Sequence, residues 1–322
     1  MDTSTDPIWD CIVVGGGAAG LSAALVLGRA RRRTLVVDAG RQSNRVAEGM
    51  GGLLGHDGLP PAALYATGWQ ELAAYPSVEL RTGHVRRGER RGDGPFVLEL
   101  DDGSRQASLR VVLAAGMDYD YRRPDLPGMA ERWGRSVFHC PFCHGWEVRD
   151  RALGVLDRGP TGVRRALLLR MWSDDVTLLA DGPAELGAEQ RERLRSAGIA
   201  VDERPVVGLR GPGDTVTAVV FADGDERPCG GLLVAVTLRQ RSELAEQLGA
   251  VAAPPGPVAA DAIEVDPTGQ TSVPGLFAAG DLTGRMPSVA NAIASGSAAA
   301  AGVVHSLADE LLHAPQRAPA RA

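Results

Sequence analysis

The run Cys140-Pro141-Phe142-Cys143-His144-Gly145-Trp146-Glu147 is where this chain could do chemistry. Two cysteines spaced C-x-x-C can close a redox-active disulfide. Only the thiolate attacks, so such a pair needs a base or a positive dipole nearby. His144 follows the second cysteine directly, and Glu147 comes four positions after it. Imidazole titrates near neutrality and suits the removal of a thiol proton. Glu147 is placed to orient or assist it. Plainer readings stand beside this one: His144 as a helix-start residue, Glu147 as a solvated acid, the cysteines as half of a zinc site. Zinc would need two further ligands. The other cysteines, Cys11 and Cys229, lie far apart in sequence, and Cys11 falls in an apolar strand where it reads as a buried hydrophobe. His139, beside Cys140, could tune the pair or equally point away; it and His56, in the run Leu54-Gly55-His56-Asp57-Gly58, are weaker candidates and are not assigned a role.

A redox pair needs an electron partner, and the N-terminus supplies a candidate. Asp10 to Val14 predicts a buried strand, which runs into Gly15-Gly16-Gly17-Ala18-Ala19-Gly20 and a helix of small residues to Gly28. A second strand, Thr34 to Val37, ends at Asp38. This strand, glycine turn, helix, strand and acid make a complete dinucleotide-binding unit. Gly15 allows the tight turn. Gly17 lets a pyrophosphate approach the positive helix end, where Ala18 and Ala19 begin the first turn. Gly20 lets helix and strand pack closely. Asp38 is placed for the adenosine ribose hydroxyls. Two later apolar strands likewise run into glycine. Val111 to Gly116 closes on Ala115-Gly116, and Leu276 to Asp281 closes on Gly280-Asp281.

Bulk properties narrow the class. The chain has 322 residues, enough for two domains, and a net charge of −6 from 40 acidic and 34 basic residues. That balance does not suggest a nucleic-acid binder. The arginine clusters (Arg31 to Arg33, Arg86-Arg87, Arg90-Arg91) sit among acids and read as solvated faces. Four cysteines in this length make no disulfide framework. Met1 to Asp10 is polar and acidic, so no secretory signal is visible. The apolar stretch Ile12 to Leu27 is broken by glycines and predicts no membrane span. A cytoplasmic protein is expected, and in that reducing compartment a C-x-x-C pair is catalytic or metal-binding more often than a structural staple.

Together the glycine turn, the Ala-x-Gly strand and the late Gly-Asp resemble the three marks of two-dinucleotide-binding flavoproteins. The order of motifs resembles thioredoxin reductase over essentially the whole chain. That resemblance implies an α/β fold of two Rossmann-like domains: a discontinuous FAD domain over 1–117 and 245–322, and an inserted NADPH-type domain over 118–244 carrying the C-x-x-C. It implies FAD as cofactor and a homodimer. It also implies that Asp281 holds the flavin ribityl chain, with a helix cap as the alternative. The helix beginning at Ser288-Val289 after Pro287 would then aim its positive end at the flavin pyrimidine ring.

The departures from thioredoxin reductase are as informative. After a strand over Leu153 to Leu156, residues 157–162 read as a turn and Val163 to Trp172 as a helix. Asp157 stands where the second glycine motif should begin, and a carboxylate there repels pyrophosphate. Leu179-Ala180-Asp181-Gly182 replaces a basic cluster for the 2′-phosphate of NADPH, and Ala290-Asn291-Ala292-Ile293 lacks a further arginine. NADPH binding is therefore expected to be lost. His144 also replaces the family's aspartate. The run C-x-x-C-H-G-x-E with a degenerate NADPH fold resembles small-molecule dithiol oxidases, which close the disulfides of holomycin and gliotoxin. The expected substrates are a small dithiol and dioxygen, which becomes hydrogen peroxide. By the same resemblance Cys140 is attacked by substrate and Cys143 faces the flavin. The segment Met117 to Trp133 and the surroundings of Met286 are expected substrate walls. The rival readings are a disulfide reductase fed by NADPH or another donor such as ferredoxin, and a non-catalytic flavin-binding sensor or scaffold.

Overall fold

The computed structural model describes residues 8–121 and 123–313, so the polar N-terminal residues 1–7 lie outside the described part. In chain order the strands are β1 (Trp9–Val14), β2 (Thr34–Asp38), β3 (Val78–Thr82), β4 (Val85–Arg90), β5 (Phe96–Leu100), β6 (Arg105–Leu113), β7 (Met117–Tyr121), β8 (Val137–Phe138), β9 (Leu153–Leu156), β10 (Val176–Leu179), β11 (Ala200–Asp202), β12 (Val206–Arg210), β13 (Ala218–Phe221), β14 (Glu226–Pro228), β15 (Gly231–Val234), β16 (Val236–Gln240) and β17 (Leu276–Ala278). The helices are α1 (Ala18–Arg29), α2 (Pro61–Leu72), α3 (Pro141–His144), α4 (Gly159–Leu169), α5 (Ala188–Ser196), α6 (Leu244–Gln247) and α7 (Val289–His313). No helix among the described residues is long and apolar enough to cross a membrane.

The chain divides into two compact units. The first holds the chain up to Ser43, Ala62–Asp118 and everything from Leu238; the second holds Asn44–Pro61 and Tyr119–Thr237. Sequence boundaries put 44–61 in the first unit, but this glycine-rich excursion packs with the second. β7 and β16, where the chain passes from one unit to the other, pair as a two-stranded ribbon.

In the first unit β3, β2, β1, β6 and β17 run parallel in that spatial order. The nine-residue β6 serves two partners along one edge: antiparallel β5 on its first half and parallel β17 on its second. Central strands covered on both faces must be apolar throughout, and the last four residues of β1 and all five of β2 are buried. The second unit has a fully parallel sheet in the order β11-β10-β9-β15-β8, joined by the antiparallel sheet β12-β13-β14.

Parallel strands deliver their loops to one edge, and ligands bind where the strand order reverses. In the first sheet that point lies between β1 and β6; in the second it lies between β9 and β15. The ends of β1, β6 and β17 carry the turns at Gly15, Ala114 and Ala279. Strands β6 and β17 stop at Leu113 and Ala278, short of the Gly116 and Asp281 that the apolar runs suggested, because both glycine turns leave the ladder. Gly116 and Gly280 take φ of +69° and +75°, which glycine tolerates best.

Helices α1 and α7 meet with no room for side chains. A Cβ on Gly296 would collide with the Ala19 carbonyl, and the Ser22 hydroxyl donates to the Ile293 carbonyl at 2.8 Å. Around this contact Val13, Leu27, Val112, Phe277, Ala299 and Val303 are all fully buried. Gly296→Ala should cost about 3 kcal/mol, the upper range for overpacking, and lower flavin occupancy. Urea unfolding and the flavin-to-protein absorbance ratio would check both.

Candidate active site

At the first strand-order reversal, the sequence-predicted cofactor residues come together. Gly17 is the N-cap of α1, with no side-chain cap and no acid in the first turn. A Cβ at Gly20 would collide with the Gly15 carbonyl, and one at Gly280 would touch the Ala19 Cβ at 3.1 Å. Gly280 donates its N–H to the Ser295 hydroxyl at 2.9 Å, and Asp281 lies in the 3-10 turn Gly280–Thr283. The helix end at Gly17 to Gly20 is thus open to an anion, and the residues fit a flavin dinucleotide. Asp281 is not the cap of α7. Ser288 is, its hydroxyl accepting the Asn291 N–H at 3.1 Å, while Asn291 Nδ2 donates to the Met286 carbonyl at 2.8 Å.

Asp38 does more than sequence suggested. Its Oδ1 accepts from the Gly16 and Gly40 N–H groups at 3.1 Å each, and its Oδ2 from Gln42 Nε2 at 3.0 Å. A carboxylate has about four acceptor positions, so these bonds leave about one for a ribose hydroxyl. Sequence reasoning also missed Arg241. Its guanidinium binds Asp118 Oδ1 at 2.7 Å, the Ser43 hydroxyl at 3.0 Å and the Arg41 carbonyl, fixing the chain beside Gly116. No periodicity or motif marks such a clamp.

The second reversal point is built differently. Asp157, 5% exposed, directly follows β9. Its Oδ1 accepts the Arg158 N–H at 2.9 Å, and its Oδ2 pairs with Arg165 from α4. A carboxylate therefore stands at the positive end of α4, where a pyrophosphate would need to bind. α4 starts at Gly159 and ends at Leu169, whereas the sequence predicted Val163 to Trp172. Gly159 (φ +62°) and Pro160 looked like loop, but proline is favourable in a first helical turn. Asp181 is a structural acid. It accepts from Arg123 Nη1 and the Val206 N–H, both at 2.8 Å. The segment Leu179 to Gly182 carries no base of its own, but Arg158 reaches the Asp181 carbonyl at 3.0 Å and Glu185 at 3.6 Å. That guanidinium is already matched by an acid.

In the second unit Cys140 and Cys143 form a disulfide, with Cα atoms 5.3 Å apart. Cys140 is the N-cap of α3 and Pro141 occupies the first turn. His144 Nε2 lies 3.1 Å from the Gly134 carbonyl oxygen. A carbonyl only accepts, so Nε2 carries the proton and Nδ1 keeps the free lone pair. Nδ1 is buried and makes no hydrogen bond among the described residues. Burial holds His144 below the ordinary histidine pKa; the Gly134 carbonyl, the Glu147 charge and the Cys140 carbonyl pull it partly back. His144 is thus a mainly neutral imidazole at neutral pH, and the Glu147 charge acts on it electrostatically.

His139 is set in an aromatic group, 4.7 Å from Tyr119 and 5.9 Å from Trp133 between ring centres, with Tyr121 stacked on Trp133 at 4.3 Å. Burial, with a smaller effect from His144, lowers its pKa to about 4. Of the expected substrate walls, Trp133 lies in this group against His139, whereas Met117 is buried. Met286, in the other unit, is exposed. Phe142 and Trp146 are exposed beside the disulfide, Phe142 edge-on to Trp172 at 5.4 Å. The remaining cysteines are buried, and burial pushes the Cys229 thiol up to about 11.

Two outcomes follow from this geometry. Glu147→Gln removes a charge that raises the His144 pKa. The acid limb of dithiol-driven flavin reduction, already below the usual histidine range, should move to still lower pH in a stopped-flow pH series. Arg165→Met leaves Asp157 buried without its arginine and should cost about 3 kcal/mol in urea unfolding. Asp157→Asn in the same chain should recover most of that loss.

Residues 9–296 match the family described as pyridine nucleotide-disulphide oxidoreductase. Thioredoxin reductase tcpT of Claviceps purpurea (strain 20.1) is 34% identical over 308 residues, covering 92% of this chain and 93% of that protein. The crystal structure of HlmI aligns with a TM-score of 0.89 at 38% identity, covering 97% of this chain and 96% of that one. An oxidoreductase from Agrobacterium tumefaciens aligns with a TM-score of 0.87 at 36% identity, covering 94% and 99%. With two Rossmann-type sheets and a C-x-x-C disulfide, the chain belongs to the pyridine nucleotide-disulphide oxidoreductase family and is a thioredoxin reductase-like, flavin-using thiol/disulfide oxidoreductase.

Proposed function

We propose that this protein is an FAD-dependent dithiol oxidase that closes a disulfide in a small-molecule dithiol. The observation that carries the direction of electron flow is the Asp157–Arg165 pair at the head of α4. One Rossmann-type unit keeps an open helix end for a dinucleotide, and the other fills its own with a carboxylate. A reductase would need the second site for NADPH.

The substrate thiolate attacks Cys140, breaking the enzyme disulfide and forming a mixed disulfide, while Cys143 leaves as thiolate. The second substrate thiol, deprotonated, attacks the substrate sulfur of that mixed disulfide. It leaves as the cyclic disulfide and releases Cys140. Each substrate thiol must lose a proton before it attacks. His144 Nδ1, on the residue after Cys143, is the lone pair that would take them one at a time, each proton passing on towards the peroxide product before the next is taken. The Gly134 carbonyl holds the tautomer that keeps it free. FAD, when bound, would supply the two-electron acceptor for the reduced cysteine pair and the route to dioxygen, the overall change being dithiol and dioxygen to disulfide and hydrogen peroxide. Gly15, Gly17, Ala18, Ala19 and Gly20 would hold its pyrophosphate, Asp38 its adenosine ribose, Ala115-Gly116 and Gly280-Asp281 its ribityl side, and Ser288-Val289 its ring. The family resemblance extends this reading to a homodimer, and the sequence reading places it in the cytoplasm.

Under air, a small dithiol such as dithiothreitol should be oxidised with one hydrogen peroxide formed per disulfide. Cys140→Ser and Cys143→Ser should each abolish turnover, and His144→Ala should slow it by roughly a hundredfold. Peroxide formation that survives both serine variants would sink the mechanism.

A further inference from the structure

The excursion Asn44–Pro61 connects β2 to α2, a type of connection that is usually only a few residues long. It touches the redox motif at two places. A Cβ on Gly51 would lie 2.9 Å from the Cys143 carbonyl oxygen, so the loop backbone rests directly on that cysteine. Val46 packs on Gly134, where a Cβ would meet the Val46 methyl at 2.5 Å. Gly134 takes φ +73° and presents the carbonyl that holds His144. Arg135 locks the two segments together. Its Nε donates to the Val46 carbonyl at 2.9 Å, and its Nη1 lies 3.5 Å from Glu48 and 3.4 Å from Asp214.

The loop is itself braced. Met50 is buried, and its N–H donates to the Leu59 carbonyl at 3.0 Å. Gly58 donates to the Met50 carbonyl at 2.9 Å, and Gly52 to Asp57 Oδ1 at 2.7 Å. Leu54 projects from it, 98% exposed. One ordered segment therefore loads both the carbonyl that fixes the His144 tautomer and the carbonyl of Cys143.

We propose that residues 46–51 are a brace for the redox motif, and that Arg135 and Gly51 are positioning residues for thiol exchange, acting through His144 and Cys143 respectively. The inference rests on the proposed function for its kinetic consequence but not for its structural one. If Arg135 no longer ties Val46, the Gly134 carbonyl is released from His144. The imidazole can then place its proton on Nδ1 and lose its lone pair there.

The test uses the flavin-loaded protein with Arg135→Met, Arg135→Lys, Gly51→Ala and, as a loop control, Leu54→Ala. Two readouts are taken: anaerobic flavin reduction by dithiothreitol across pH, and the His144 tautomer and pKa from imidazole nitrogen NMR. Arg135→Met should slow reduction roughly tenfold to a hundredfold, as small misplacements of reacting groups do. It should also raise the Nδ1–H tautomer fraction and move the His144 pKa lower, because an acceptor favouring the imidazolium is withdrawn. Arg135→Lys, which keeps one donor for Val46, should restore part of both. Gly51→Ala should slow reduction similarly with the tautomer intact, and Leu54→Ala should change neither. An Arg135→Met protein with the wild-type tautomer and pKa would overturn the brace, whatever its rate. Wild-type protein that dithiothreitol fails to reduce would count against the oxidase reading alone, since the NMR comparison still decides the brace. If Gly51→Ala does not fold, Arg135→Met carries the decision.

Discussion

Parallel β-sheets send every strand-to-helix turn to the same edge, and this constraint organises the whole molecule. In the first unit it gathers the ends of β1, β6 and β17, which lie far apart in the chain, around the bare N-terminus of α1. In the second it brings Asp157, at the end of β9, to the matching place. The two sheets pose the same electrostatic question at equivalent points and answer it oppositely. Gly17 leaves a positive helix end open, whereas Asp157 and Arg165 fill theirs with an ion pair. A pyrophosphate brought within about 4 Å of a carboxylate meets a repulsion on the order of 4 kcal/mol per charge pair at an effective dielectric of 20. It would also have to compete for Arg165. A cofactor that must bind and leave reversibly does not easily offset such a cost.

The disulfide unit depends on a second constraint, the desolvation of histidine. His144 and His139 flank the cysteine pair, and burial favours the neutral form of both. A neutral imidazole can accept a thiol proton, which an imidazolium cannot. Its usefulness then turns on which nitrogen is free, and that is decided by a backbone carbonyl at Gly134 rather than by another side chain. The oxidase reading thus rests on two electrostatic arrangements in different parts of the chain: a closed nucleotide cradle and a neutral imidazole with one nitrogen left unbonded.

Much of this was legible in the sequence, because the signals were local. The β1–turn–α1–β2 unit could be read to within a residue or so, since glycines at fixed spacing have few other uses. Asp157 stood out because it violates that spacing. What sequence could not reveal were partnerships made by folding. Arg165 lies eight residues past Asp157 and gives no motif. Arg158 reaches the end of β10 from another turn, which the residues 179–182 alone do not reveal. The start of α4 was misplaced because Gly159-Pro160 resembles a loop, although proline suits a first helical turn. The domain bounds put 44–61 in the flavin domain, and nothing in its composition shows that Gly51 lies on the Cys143 carbonyl. Gly134 was invisible for a similar reason, since its contribution is a main-chain oxygen.

The central claim is that electrons enter from a dithiol and not from NADPH. The most direct measurement is anaerobic addition of NADPH to the purified yellow protein, followed by a small dithiol, with the flavin absorbance recorded throughout. The account predicts no bleaching with NADPH, bleaching with the dithiol, and recovery of the yellow form when air is admitted. Rapid bleaching by NADPH would contradict it, and would mean that the ion pair at the head of α4 opens to admit the nucleotide and that the enzyme is a reductase.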